Sequence, residues 1–393
     1  MSSHTSFDEL KKELPASVTR IGWVLLAFGL LIWIGGYAID AKRSAFNTII
    51  SFLFLASIAG GAIFLVALEY IAGAVWSVPM RRVNEFLGAL TFVVPFLAIP
   101  LLFNMHELYH WTHEDAVSAD VLLQAKAPYL NFQFFLIRFI AVFVLWSLFY
   151  IAFTRNSRKQ DTTGDQQLTT KNVRLAAVFL PVFAITLTVT AIDWAMSLEP
   201  HWYSTIYGIY YFSGTVLAAV AIATFAIVQL SEHGFFPKLK RDHFYSLGAL
   251  MFAFVNFWAY IAFSQFLLIW YANLPEETFW FINRWKNGWE YVSVGLIIVQ
   301  FAVPYVMLLT QNSKMDLKRL RIMALWILFA HLFDLYWLVM PTYSASPVFS
   351  WIELGFPVLL IGLILVVFSI KLKRNNLVPV GDPKLQRGLD FRL

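Results

Sequence analysis

The 393-residue chain contains no cysteine. That absence excludes disulfides, thiol catalysis, cysteine-ligated iron–sulfur clusters and covalently attached c-type haem. Charge is also scarce. Asp, Glu, Lys and Arg make up 13% of the residues, against about 25% in a soluble domain. Apolar surface takes its place: 59% of residues fall in the AVILMFWYC set, 18% are aromatic, and the mean hydropathy is +0.66. Ten spans of roughly 20 residues would occupy about half the chain. No room remains for a large soluble domain, so soluble enzymes and nucleic-acid binders are excluded. The N-terminal residues 1–15 are polar and mixed in charge, and the first apolar stretch is a full-length span, so no cleavable signal peptide is expected.

Ten apolar stretches are present, at residues 18–39, 47–74, 83–103, 131–153, 175–196, 207–230, 244–270, 288–310, 322–340 and 351–370. In a bilayer core each must be helical, because a lipid-facing strand or loop would leave backbone groups unpaired. The net charge of +5 is unevenly placed: 23 Lys and Arg lie on the side of the termini, 5 on the other, and Arg138 is inside a span. The positive-inside rule puts both termini in the cytoplasm. The third loop, residues 104–130, is the longest outer loop and is acidic and histidine-bearing. The fifth and ninth have no Lys or Arg and are rich in Trp, Tyr, Pro and Ser, a composition suited to the interfacial belt or to another membrane subunit. Residues 160–170 are the one polar stretch in mid-chain and are expected to form a flexible cytoplasmic loop.

An internal repeat is visible. Span five ends in DWAMSLEPHWYS, with Asp193 seven residues before Pro200, and span nine ends in DLYWLVMPTYS, with Asp334 seven residues before Pro341. Both continue to Tyr-Ser. The segments are four spans apart and so cross in the same direction, which favours two parallel four-helix units over the inverted halves of many transporters. The expected fold is all-α, with residues 1–45 as N-terminus and flanking helix, 46–206 and 207–350 as the two bundles, and 351–393 as the second flanking helix and a cytoplasmic tail.

A charge at the bilayer centre costs at least about 2.5 kcal/mol on insertion scales, so each buried ionisable group needs a partner or a task. Glu69 is placed toward the cytoplasmic side, His331 near mid-membrane, Asp334 one turn further out, Asp193 close to the outer surface, Arg138 two turns in from outside, and Glu353 at the outer start of span ten. His331 and Asp334, at i and i+3, share a helix face and can exchange a proton or a hydrogen bond. A staggered set of this kind can carry protons. Alternatively, Arg138 pairs with Asp193 or Asp334 to pin two helices. Of the eight histidines only His331 is well inside a span, so intrinsic bis-histidine haem is not expected.

Residues 106–110 read HELYH, a match to the zinc-binding HExxH pattern, with His106 and His110 as ligands and Glu107 as base. His113 is the nearest third ligand. On a continued helix it lies about 10 Å from His106, too far for both to meet one ion. The match reads as fortuitous, and no metal site is expected.

Four segments carry a resemblance: GGAIFLVALEYIAGAVWSVPMRRVNEF (residues 60–86), HWTHEDAVSADVLLQAKAPYLNFQFFLIR (110–138), AIDWAMSLEPHWYSTIYG (191–208) and HLFDLYWLVMP (331–341). Together they resemble the NrfD-like, polysulfide-reductase-type integral membrane subunits, most of all the F-type subunit of alternative complex III, the bacterial quinol:cytochrome c oxidoreductase. The resemblance runs through essentially the whole chain. It implies two four-helix bundles plus two helices, residence in the bacterial cytoplasmic membrane, and no redox metal in the chain. The implied neighbours are a sister quinone-binding NrfD-like subunit, an extracytoplasmic iron–sulfur subunit, multihaem and monohaem cytochromes c, small membrane subunits and lipids. The complex would be respiratory or photosynthetic and reduce a cytochrome c or cupredoxin. A quinone or quinol is the one cofactor candidate for this chain. The implied proton-pathway residues are Asp193, His331 and Asp334, then Glu69 and Arg138, with Glu199, His201 and Glu353 completing the set. The alternatives are a secondary transporter, supported by span count and buried charge alone, and the HExxH metalloprotease.

Overall fold

The computed structural model describes residues 13–236 and 239–393. Most of the polar N-terminal segment, with Lys11 and Lys12, and Lys238 lie outside the described residues. Among the described residues the chain is all-α, without strands. Ten helices are long and apolar enough to cross a membrane: α1 (Ala16–Ile39), α2 (Ala41–Ala72), α3 (Val78–Phe103), α4 (Phe132–Thr163), α5 (Gln167–Leu198), α6 (Tyr207–Glu232), α7 (Arg241–Ala272), α8 (Trp289–Met307), α9 (Leu317–Tyr343) and α10 (Trp351–Arg374).

Two connections differ from expectation. Only Asp40 separates α1 from α2; its carboxylate accepts the Arg43 N–H and caps α2, so Lys42 and Arg43 ride on the first helical turn rather than in a loop. The polar run expected to be a flexible loop is mostly helical, because α4 continues to Thr163 and α5 begins at Gln167. Arg, Lys and Gln are good helix formers outside the bilayer. Gly164, at φ 61°, supplies the left-handed C-cap.

Burial separates the helices into a centre and a rim. The apolar windows of α2 and α6 are 94% and 83% buried, against 17% for α1 and 22% for α8. Helices α3 and α5 pack on α2, with α4 against α5, and helices α7 and α9 pack on α6, with α8 against α9. The two four-helix bundles meet along α2 and α6, with α9 touching α2 and α5 touching α6. Outside them α1 and α10 form a pair. A Cβ on Gly29 would lie 2.5 Å from the Leu359 Cα, and one on Gly362 would lie 2.4 Å from the Leu26 nitrogen, so here backbone meets backbone, as small residues permit between membrane helices.

Two spans are irregular. In α3 a 3-10 segment, Gly88–Phe92, precedes Pro95, and in α8 a π-helical turn, Ile297–Ala302, precedes Pro304. Beyond α10 the chain does not trail away: Leu377, Val378, Leu385 and Leu389 are buried against the bundles.

Candidate functional site: buried polar networks

The face of α9 that meets the other helices of the centre carries two buried ionisable residues, His331 and Asp334. Asp334 accepts the Tyr210 hydroxyl at 2.5 Å on Oδ1 and the Trp258 indole N–H at 3.2 Å on Oδ2. Among the described residues no cation pairs with it. His331 Nε2 lies 3.1 Å from the Ser57 hydroxyl, which donates to Tyr211 Oη at 3.0 Å and sits 3.2 Å from Thr215 Oγ1. Tyr211 in turn donates to the Leu53 carbonyl. With its only proton directed at Tyr211, Ser57 must accept from His331, so the neutral ring carries its proton on Nε2. Nδ1 is then a bare acceptor, buried and without a hydrogen-bond partner among the described residues.

The expected direct exchange between His331 and Asp334 is therefore not made. The two side chains anchor on different helices, His331 on α2 and Asp334 on α6 and α7. Gly214 marks where they converge: a Cβ there would lie 3.0 Å from His331 Nδ1 and 3.7 Å from Asp334 Oδ2.

Asp193, at the matching position of the repeat, is different. Arg138 holds it with two parallel bonds of 2.7 and 3.0 Å, donates to the Tyr129 carbonyl, and lies 3.8 Å from the Tyr129 ring centroid. This bidentate geometry fits the planar guanidinium and pins α4 to α5. Glu353 is likewise pinned. It accepts from Arg43, Asn47 and Ser350, tying the start of α10 to α2.

At the end of the molecule that carries both described termini, Glu69 bonds Arg81 at 2.9 Å. Arg81 also bonds Asp382 at 2.8 Å, while Arg82 bonds Glu85 at 3.0 Å and Asp161 at 2.6 Å. Counted from sequence as loop charges, both arginines are buried, with at most 1% of their surface exposed. The signal was present in Glu85, three and four residues beyond them at the start of a span.

At the opposite end Glu199 accepts from Thr342 at 3.0 Å and lies 3.6 Å from Arg284. Arg284, read from sequence as an outer-loop charge, is fully buried and donates to the carbonyls of Trp337, Leu338 and Trp280. Pro341 has no N–H for the Trp337 carbonyl four residues earlier, and Arg284 supplies the donor. Burial draws this guanidinium down to about 10, against the opposing pull of Glu199. His201 is exposed and bonds Asp120 at 2.6 Å. That bond, joined by the backbone N–H groups of Leu123 and Leu122, holds the Asp120 carboxyl below its usual range.

The HELYH segment is not one helix. The helix Met105–Leu108 stops, Tyr109 is extended, and His110–Thr112 is a 3-10 turn. His106 and His113, expected about 10 Å apart on a continuous helix, instead stack with ring centroids 3.6 Å apart, and His113 Nε2 bonds the His106 carbonyl. Among the described residues no group of three or more His, Asp or Glu is placed to hold a metal ion.

A cavity of about 590 Å³ opens between α7 and α8, with Tyr210, Trp258, Gln265, Phe266, Phe301 and Trp337 in its wall. Tyr210 and Trp258 are the same groups that bond Asp334. Gln265 is buried, and its Nε2 has no partner among the described residues. The π-turn of α8 forms part of the wall through Ile297 and Phe301, an irregularity common at functional positions in membrane helices. Asn256 and Tyr260, on the same helix as Gln265, also line the cavity.

Compared with models of known protein families the chain matches none, and a search among curated proteins likewise returns no match.

Proposed function

We propose that this chain is a proton-handling membrane subunit of a quinol-oxidising complex of the NrfD-like type, similar in role to the F-type subunit of alternative complex III. One observation carries the reading: Asp334 and His331 sit at the meeting of the two bundles, and among the described residues their hydrogen-bond partners are all neutral. A carboxylate buried in a membrane without a counter-ion is a group that exchanges protons; the Tyr210 hydroxyl extends a donor–acceptor network from Asp334, and the Ser57, Tyr211 and Thr215 hydroxyls extend a separate one from His331. The four motifs quoted above supply the family assignment. The asymmetry of Lys and Arg supports cytoplasmic termini in a bacterial inner membrane.

In this reading electrons pass through an iron–sulfur subunit and multihaem and monohaem cytochromes, beside a sister quinone-binding subunit and small membrane subunits. Mild-detergent purification followed by identification of copurifying chains tests the assembly, and isolation of the chain alone would refute it. In the reconstituted complex, Asp334→Asn should lower the protons released per electron while leaving the cytochromes bound. An unchanged ratio would remove the relay role.

A quinone or quinol on this chain is a second reading, supported by the cavity against Tyr210 and Trp258. Its size and aromatic lining suit a planar ring, and Gln265 Nε2 would give a donor to a ring carbonyl. Lipid extracts of the purified chain should then contain quinone near one per chain, falling when Gln265 is changed to Leu. Consistent absence would leave quinone to the sister subunit.

A further inference from the structure

The ion cluster at the end carrying the termini is unbalanced. Glu69, Glu85, Asp161 and Asp382 face Arg81 and Arg82, so with every group ionised it would hold two uncompensated negative charges. Each carboxylate side chain is at most 9% exposed. Burial of unpaired charge is costly, and buried groups of this kind take up protons or water. An independent feature points the same way: Arg81 Nε and Nη2, Arg82 Nε and Asp161 Oδ1 are buried polar atoms of the cluster with no hydrogen-bond partner among the described residues. Orphan donors beside surplus acceptors are what internal water joins. Other titratable groups near the cluster, among the described residues, are Tyr70, whose ring lies 4.8 Å from the Arg81 guanidinium carbon, Tyr150, with Lys371 at 5.7 Å from its ring, and Lys384, whose Nζ lies 3.6 Å from where a Cβ on Gly73 would sit. Arg158 turns away to Thr154 and Asn375.

The C-terminal segment, residues 376–393, lies over this cluster and contributes Asp382 to it. A Cβ on Gly381 would sit 1.8 Å from the Gln160 carbonyl oxygen, and one on Gly388 would sit 2.7 Å from that of Val75, so the segment runs flush against α4 and the α2–α3 link. It crosses to the other bundle as well, where His243 Nε2 lies 2.8 Å from the Gly388 carbonyl oxygen.

We propose that Glu69, Glu85, Asp161 and Asp382 with Arg81 and Arg82 form a hydrated, proton-holding site, and that the C-terminal segment is the strap that seals it from the adjoining water. Loading is a simple transfer: a carboxylate takes a proton from hydronium, leaving a carboxylic acid and a water, with no redox partner. The inference rests on the proton-handling reading for its purpose. Its tests need no turnover and leave Asp334 intact, so the two can fail separately.

The cysteine-free chain is a ready background for access measurements. Ser77→Cys, beside Glu69, and Thr163→Cys, at the exposed end of α4, are labelled with a membrane-impermeant maleimide in opened membranes. In the full chain Ser77→Cys should react about tenfold more slowly than Thr163→Cys, since access requires local opening. Truncation after Asn375 should abolish most of that difference, and Asp382→Asn should reduce it without removing the strap. Equal rates at Ser77→Cys with and without the strap, in protein of unchanged helicity and elution volume, would overturn the seal.

Infrared spectra at neutral pH should show a protonated-carboxyl band that diminishes in Glu69→Gln and in Asp161→Asn and persists in Asp334→Asn. Identical bands in the wild type and both amide variants would overturn proton holding.

Discussion

Asp193 and Asp334 occupy the same place in the repeat, seven residues before a proline at the end of the fifth and ninth spans, yet they are treated in opposite ways. In the first bundle Arg138 neutralises Asp193 with two short bonds. In the second, Asp334 faces a phenol and an indole, while Arg284 is turned to backbone carbonyls of α9, among them that of Trp337 released by Pro341. One repeat thus yields a structural clasp and a carboxyl that, among the described residues, has no fixed countercharge. The difference lies in where the arginine enters: on a helix facing the carboxylate in one bundle, in the connection above it in the other.

The sharpest way to break this comparison is to remove the cation. Arg138→Ala leaves Asp193 buried and unpaired, a change that costs about 3–5 kcal/mol in buried pairs. It should reduce folded yield and thermal stability severely, whereas Asp334→Asn should cost on the order of 1 kcal/mol because its partners are neutral donors. Thermal unfolding of both variants in the same detergent decides the matter, and equal losses would end the distinction. Next in size is Gly214→Ala, whose methyl group would press on His331 Nδ1 at 3.0 Å. Overpacking of this order costs about 1–3 kcal/mol, and proton release should fall with it if His331 and Asp334 act together. An Ala variant with unchanged stability and turnover would show that they act apart.

The smallest effect is expected at the outer surface. The Asp120 carboxyl lies below its ordinary value in the folded chain, so its tether to His201 contributes fully above the usual carboxylate range. That contribution disappears as pH falls through the depressed value. Hydrogen exchange in residues 114–126 should rise over that acidic window, and Asp120→Asn should remove the pH dependence.

Much of the fold was legible. Apolar runs long enough to span gave the helix count, because a single apolar segment of about 20 residues satisfies its own backbone hydrogen bonds in a bilayer as a helix, whereas a strand does so only within a closed barrel. Of the site, Asp193, Asp334, His331 and Arg138 were visible as charges where charge is costly, and the pairing of Arg138 was one of two readings open. Their partners were not visible. Tyr210 and Trp258 look like ordinary aromatic residues of apolar spans, and Ser57 like one of several small residues in α2. Arg81 and Arg82 look like orientation signals in a link between spans. Counting charges by side cannot reveal that Arg81 meets Asp382, 301 positions away.

By itself the sequence determined that the chain is helical, crosses a membrane ten times, handles no metal through cysteine and repeats one motif in two parallel halves. These properties follow from local composition, because transfer into a bilayer is read residue by residue. Only the tertiary structure decided which of two equivalent aspartates is neutralised, that α2 and α6 form the centre, and that the last residues close over a buried ion cluster. Those outcomes depend on which side chains from distant segments meet within hydrogen-bonding reach, and no property of either segment alone specifies that meeting.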